Sequence, residues 1–425
     1  MKRLLTLGTL LVASYLPLQA SAFCGFYVAK GGANLFNQSS QVVYVRDGDR
    51  SIVTMGSDFK GDVKEFAMVI PVPVIVQKEQ VKLVNNSTIK QLDDFSAPRL
   101  VEYFDSDPCE IMRPRPMAAP MMRAARPMPP VARARELGVK IEASYTLGEY
   151  NIMVLSAKES GGLVTWLNEN KYKIPAGAEP VINSYLKQNM KFFIAKVNLK
   201  EYSKTGFTQL RPIQVNYREK RFMLPIRLGT VNATGKQDLF VYGITRNGRI
   251  ETTNYRTAKV PTDLNIPTYI KTTNQFSRFY KDLFKTQVNK NEDGVFLEYA
   301  WNMSWCDPCV GTPLNNKQLK ELGAFWLTEN SATDAYITRL HVRYDRETFP
   351  EDLMFQVTGN TENFQARYVI NHPFAVKPTA CPAAKTYVTQ TLPKRWEEEA
   401  KNAASLTGWD VNAIRKKIAE TKPKI

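Results

Sequence analysis

Apolar positions along this chain recur mostly at a spacing of two, the mark of strands with one face buried. Residues 41–45 and 51–55 flank Asp47-Gly48, a pair that suits a tight hairpin turn needing positive φ. Residues 65–73 form a third strand, in which Pro71 and Pro73 favour a sheet edge or the strand's end. Ser87 or Thr88 is expected to cap a short helix running through Leu92. A second helix is expected to begin at Ser96-Ala97-Pro98, with proline at its first position and Leu100, Val101 and Phe104 on one side.

Further along, residues 139–144 and 150–155 read as a strand pair. A helix after Ser160, another over 180–187 and a strand over 192–197 follow. Residues 239–245 and 249–255 enclose Asn247-Gly248, the strongest short hairpin signal in the chain. Residues 336–344 alternate, placing Tyr336, Thr338, Leu340, Val342 and Tyr344 on one face, and a further hairpin is expected across Gly359-Asn360. Residues 394–404 and 410–419 read as helices, the second with a stripe of Val411, Ile414 and Ile418. The class is α+β: predominantly antiparallel β-sheet, several short helices and a helical C-terminus.

Two segments break this pattern. Met1-Lys2-Arg3, the apolar stretch 4–16, Pro17 and Ala20-Ser21-Ala22 have the layout of an export signal cleaved after Ala22. The stretch is short for a membrane span, and Phe23 before Cys24 excludes a lipoprotein signal. The expected product is therefore soluble and periplasmic or extracellular. The second exception is 112–135, where Arg113, Arg115, Arg123, Arg126, Arg133 and Arg135 occur without an acid and with six prolines. Repelling arginines and blocked backbone donors point to a disordered linker or loop. These exceptions divide the 425 residues into a signal peptide (1–22), an N-terminal α+β domain (23–111), the Met/Arg/Pro-rich segment (112–135), a larger strand-rich α+β domain (136–390) and C-terminal helices (391–425). The net charge of +16 favours anionic partners, and the six arginines of 112–135 are candidates for contact with an anionic envelope surface. No specific nucleic-acid partner is expected, because most other basic residues are interspersed with acids.

Export makes disulfides the first reading of Cys24, Cys109, Cys306, Cys309 and Cys381. Their pairing is open. One arrangement joins Cys24 to Cys109 and leaves the second bridge among Cys306, Cys309 and Cys381. The sharpest motif is Trp305-Cys306-Asp307-Pro308-Cys309 after the apolar run 295–301. In thioredoxin-like enzymes such a motif opens a helix, whose N-terminus activates the first thiol while the second resolves the mixed disulfide. Cys306 and Cys309 are thus redox candidates. Against this stand the charge of Asp307 and the helix-breaking Gly311, Pro313, Asn315 and Asn316, which leave 317–322 as the next good helical run. A zinc site would draw its remaining ligands from Cys381, Cys109 or a histidine, with no second paired motif to support it.

Only His341 and His372 occur. His341 is expected in a cationic setting between Arg339 and Arg343, and His372 in a loop beside Pro373 without a companion. No Gly-x-Ser-x-Gly elbow and no glycine-rich phosphate or cofactor fingerprint is present. The adjacent pair Asp93-Asp94 carries no spacing signal and is expected to be solvated.

Several longer stretches form a set: Cys24-Gly25-Phe26-Tyr27-Val28-Ala29-Lys30, Val45-Arg46-Asp47-Gly48, Ser96-Ala97-Pro98-Arg99-Leu100-Val101-Glu102-Tyr103-Phe104, Ser304-Trp305-Cys306-Asp307-Pro308-Cys309, Thr338-Arg339-Leu340-His341-Val342-Arg343-Tyr344 and Phe349-Pro350-Glu351-Asp352-Leu353-Met354. They resemble an exported bacterial family catalogued as domain of unknown function 2330. The resemblance implies a bacterial, exported product with no catalytic residue or cofactor to carry over. It also implies that Cys-Asp-Pro-Cys belongs to this family's own pattern. The reading is a non-enzymatic structural or binding component of the cell envelope, stabilised by disulfides. The alternative is a periplasmic thiol–disulfide oxidoreductase using Cys306 and Cys309.

Overall fold

A computed structural model describes residues 26–29, 36–60, 66–110, 140–157, 160–170, 172, 174, 177–205, 210–231, 233, 235–308 and 313–422. The predicted signal 1–22, Cys24, Cys309 and the arginines of 112–135 lie outside the described residues.

Along the chain come β1 (Phe26–Ala29), β2 (Phe36–Asp47), β3 (Arg50–Lys60), β4 (Phe66–Val72), β5 (Val81–Leu83), α1 (Asn86–Ser96) and β6 (Arg99–Phe104). Next are β7 (Lys140–Leu147), β8 (Tyr150–Ser156), α2 (Ser160–Glu169), α3 (Ala178–Lys187), β9 (Lys191–Val197), α4 (Leu199–Thr205), β10 (Ile213–Arg218), β11 (Met223–Leu224) and α5 (Arg227–Val231). They lead to β12 (Gln237–Thr245), β13 (Ile250–Thr252), β14 (Thr257–Lys259), β15 (Leu264–Asn265), α6 (Thr273–Lys290), β16 (Val295–Asn302) and α7 (Asn316–Leu322). The chain ends with β17 (Tyr336–Tyr344), β18 (Leu353–Val357), β19 (Phe364–Gln365), β20 (Arg367–His372), α8 (Pro382–Thr386), α9 (Leu392–Thr407) and α10 (Val411–Thr421). This is the expected α+β class with a helical C-terminus.

A nine-stranded sheet runs β14-β16-β17-β12-β2-β3-β10-β5, with β19 added to β16. A five-stranded antiparallel sheet runs β1-β4-β9-β8-β7. Both draw strands from either side of 112–135. The period-two alternation sets the layering. Val42 and Tyr44 of β2 share a core with Met68, Ile70, Ile152, Val154 and Phe193 of the smaller sheet. Val43 and Val45, pointing the other way, pack on Ile89 and Leu92 of α1 and Leu319 and Leu322 of α7. The far face of the smaller sheet, including Val69, Phe192 and Ile194, is covered by α2, α3 and α5 through Leu163, Ile182 and Leu228. The order is therefore helices, sheet, sheet, helices. A further core joins α6, α9 and α10 to a small parallel sheet, β15-β20-β6.

Local signals hold where their partners are near in sequence. Asp47 pairs with Arg50 across a turn in which Gly48 has φ +58°, as the β2–β3 hairpin requires. Pro71 lies one step from the end of β4, opposite Phe192 of β9, and the ladder on the β1 side has already stopped at Val69. Its missing N–H therefore costs no sheet hydrogen bond on that side. Asn85, rather than Ser87 or Thr88, caps α1, accepting from the Ser87 amide. The helix runs on to Ser96, whose hydroxyl donates to the Leu92 carbonyl at 2.7 Å.

Three expectations are corrected. The helix expected from Ser96 is the strand β6, parallel to β20 in the register Arg99↔Arg367 through Phe104↔His372. Ala97, preceding Pro98, is held extended at φ −64°, ψ 151°, the bias that a following proline imposes. Asn247-Gly248 does make its turn, with Gly248 at φ +76°, but no hairpin follows. Both edges of β12 are filled by β17 and β2, so β13 leaves to pair with β18. Gly248 is packed so closely on this second ladder that a Cβ would lie 2.1 Å from the Thr358 carbonyl oxygen. Nor do the strands around Gly359-Asn360 pair with each other. β18 lies between β11 and β13, whereas β19 joins β16.

Candidate functional site

Strands β12, β17 and β16 lie side by side and present polar residues on one face. Asp238 stands opposite Arg343, Phe240 opposite His341 and Tyr242 opposite Arg339. On β16 the ladder slips between Leu297 and Tyr299, a bulge that leaves Glu298 without a cross-strand partner and re-aims its side chain. Glu298 is fully buried and sits between the cations of β17. Its Oε2 accepts from Arg339 Nε at 2.6 Å, and its Oε1 lies 2.8 Å from His341 Nδ1 and accepts from the Tyr280 hydroxyl at 2.5 Å. His341 Nε2 lies 3.3 Å from Asp238 Oδ1, and the Arg343 fork grips the same carboxylate at 2.8 and 2.9 Å. Arg339 also donates to Asp93 Oδ1 of α1 at 2.6 Å, which accepts in turn from the Tyr242 hydroxyl.

The cationic setting expected for His341 is thus overturned. Acids from two other strands meet it through both ring nitrogens, while Phe284 of α6 stacks on the imidazole at 3.6 Å, nearly parallel. Asp93 is likewise no solvated bystander; only Asp94, paired with Lys90, is at the surface. Burial alone would raise the Glu298 carboxyl, but His341 and Arg339 outweigh it and hold its pKa down at about 2. Burial alone would lower the imidazole, but Glu298 and Asp238 outweigh it and the net direction is upward. Asp238, despite its burial, is held well below the usual carboxylate range by His341 and Arg343. Three carboxylates therefore face Arg339, Arg343 and His341, whose charged form they favour. Each is engaged by a neighbour, and a network so closed suits holding β12, β16, β17, α1 and α6 in register.

The Cys306 motif leaves the sheet where β16 ends. Asn302 ties the loop by accepting from the amide and hydroxyl of Ser304 at 2.9 and 2.7 Å, and the Trp301 indole donates to the Trp305 carbonyl. Asp307 is fully buried, not a charge displayed beside the thiol. Its carboxylate accepts from the Tyr299 hydroxyl at 3.1 Å and the Gln365 amide at 3.0 Å, pinning the loop to β16 and β19. Cys306 and Trp305 are exposed. The first helix described after them is α7, opening at Asn316 with a capping box made by Asn315 and Gln318. Among the described residues, no three or more His, Cys, Asp or Glu are arranged to hold a metal ion.

Cys109 is bonded to Cys381, 272 residues away, with Cα atoms 6.1 Å apart. Of the arrangements left open by the sequence, this excludes the one that joins Cys24 to Cys109. β6 runs beside β20, so the chain after Phe104 emerges next to the start of the C-terminal helices, where Cys381 caps α8. The bridge is reinforced by Asp105, which accepts from Arg395 of α9 at 2.9 Å and from the Tyr387 hydroxyl. His372 has a companion after all. Its Nε2 meets Glu102 Oε2, and its ring stacks on the exposed Phe104 at 4.5 Å.

Sequence reasoning missed Glu298, Asp238 and Asp93 because their ionic partners on β17 are 41 to 246 residues distant. One signal was available. Arg339, His341 and Arg343 at alternate positions of an otherwise apolar strand demand buried acids, and Glu298 is the only acid in the apolar run 295–301.

Against known proteins, a model of the family described as "Uncharacterized protein conserved in bacteria (DUF2330)" matches residues 18–356. No curated protein and no solved structure matches the chain. Among the described residues, no helix is long and apolar enough to cross a membrane.

Proposed function

The chain belongs to this bacterial family of uncharacterized proteins, DUF2330, and on that premise we propose that it is an exported structural or binding component of the cell envelope, stapled by a disulfide and performing no covalent chemistry. The observation that carries the proposal is the Cys109–Cys381 bond. Disulfides persist in oxidising compartments and are rare in the cytosol, and this one accords with a leader of export type at 1–22. Closing a loop of 272 residues removes much of the freedom of the unfolded chain, about 5 kcal/mol in the chain-entropy account. The internally balanced Glu298–His341 network supports a structural role in the same way, since it holds five elements together. The six arginines of 112–135 supply the charge for a contact with an anionic envelope surface.

The test is to express the full chain in a Gram-negative host, fractionate the cells and measure the intact mass without reductant. The proposal expects a periplasmic or extracellular product beginning at Phe23, with Cys109 and Cys381 joined. A cytoplasmic product retaining Met1, with both thiols reduced, would refute it.

A further inference from the structure

A groove of about 240 Å³ opens between the turn Thr268–Lys271, α6 and α10. Its floor is apolar: Ile270 and Ile414 are buried, and the rings of Tyr269 and Trp409 line the wall. Three side chains at the rim carry N–H donors. Arg278 makes no hydrogen bond among the described residues; it approaches Asp282 at 4.0 Å and lies over the Trp409 ring at 5.7 Å, its side chain 80% exposed. Lys417 meets no carboxylate among the described residues and rests over the Tyr269 ring at 4.6 Å. Gln275 accepts from Thr272 through Oε1, and its amide N–H₂ has no partner among the described residues. The one acid at the rim, Asp410, is occupied at the start of α10, accepting from the Ala413 amide at 2.7 Å.

From this we infer a binding site for a small carboxylate carried on a ring. Of the side chains left to meet a ligand, the Tyr269 hydroxyl can donate or accept and Asp410 keeps its remaining oxygen, while the other three, Arg278, Lys417 and Gln275, offer donors, two of them cationic. An acceptor with negative charge therefore matches the rim, with the guanidinium of Arg278 offering a two-pronged contact. The floor and the two aromatic rings match the body of one ring. The volume is below that of a drug-sized site and admits one such ring. The same chemistry is found in acidic sugars of envelope polymers and in free aromatic acids.

Calorimetric titration of the full chain with benzoate and galacturonate, against the uncharged benzamide and galactose, tests the assignment. One or both carboxylates bind and the neutral compounds do not. A response to galacturonate identifies an acidic sugar as the source, and a response to benzoate alone identifies a free aromatic acid. Arg278→Gln and Lys417→Gln each weaken binding about tenfold, and both residues are exposed, so the fold persists. Ala413→Leu, which fills the groove without altering charge, abolishes it. Absence of binding by both carboxylates, equal binding of the neutral compounds, or unchanged binding in these variants overturns the proposal.

Discussion

His341 and Glu298 lie 43 residues apart in sequence, yet their Nδ1 and Oε1 atoms are 2.8 Å apart in the interior of the largest sheet. The contact exists because a bulge in β16 turns Glu298 onto the face that carries Arg339, His341 and Arg343 of β17. Truncating Glu298 leaves Arg339 and His341 buried without their main anion. Glu298→Ala is expected to cost about 3–5 kcal/mol, read as a fall in the urea midpoint with an unchanged slope. Its removal together with Arg339 (Glu298→Leu with Arg339→Met) restores part of the loss.

The same network sets a pH dependence. The pKa of Glu298 is depressed to about 2 from 4.5, so its contribution is present above pH 4.5 and disappears as pH falls through 2. That of His341 is raised, so its contribution is complete below the ordinary value of 6.5 and is lost as pH rises through the folded value. Stability from this network is therefore greatest between the two ordinary values. Urea melts across pH 5–9 are expected to show a shallower alkaline decline in His341→Gln than in the parent chain.

Glu399 of α9 acts in the opposite sense to Glu298. It is almost fully buried, neither carboxylate oxygen has a hydrogen-bond partner among the described residues, and Arg395 approaches only to 3.8 Å. Burial pushes its pKa up to about 8, against the attraction of Arg395. An acid whose folded pKa is raised gives stability that is lost as pH rises from 4.5 to 8. Glu399→Gln, which keeps the shape of the protonated acid, is expected to stabilise the protein at pH 9 by up to about 5 kcal/mol and by little at pH 4. Thermal melts at the two values check this, and equal shifts at both would contradict it.

The proposed contact of the 112–135 arginines with an anionic surface rests on charge, which salt screens. Deleting 112–135 is expected to reduce retention on vesicles rich in anionic lipid at low ionic strength, with the difference vanishing at about 1 M salt. Unchanged retention at low salt would remove this contact from the account.

Much of the fold was legible where interactions are local. Gly48 marked its hairpin, Ile414 and Ile418 marked the buried stripe of α10, and the alternation of 336–344 marked β17. What failed was pairing across distance. Asn247-Gly248 specifies a turn, but a turn cannot report that β12 already has neighbours on both edges. Residues 99–104 became a strand because β20, some 270 residues away, supplied its partner. The site was hidden for the same reason. His341 read as cationic because sequence neighbours stand on the same strand, whereas its anions arrive from β12 and β16. The disulfide, likewise, follows from the β6–β20 pairing rather than from any spacing of cysteines.

The most direct test of the proposed stapled, non-enzymatic role is equilibration in graded glutathione buffers, followed by mass-spectrometric mapping of alkylated cysteines. Cys109–Cys381 is expected to remain intact across the buffers, and neither Cys306 nor Cys309 is expected to belong to a bond that exchanges within roughly −120 to −270 mV, the range of catalytic dithiols. A Cys306–Cys309 bond poised in that range would contradict the account and establish thiol–disulfide exchange as the activity.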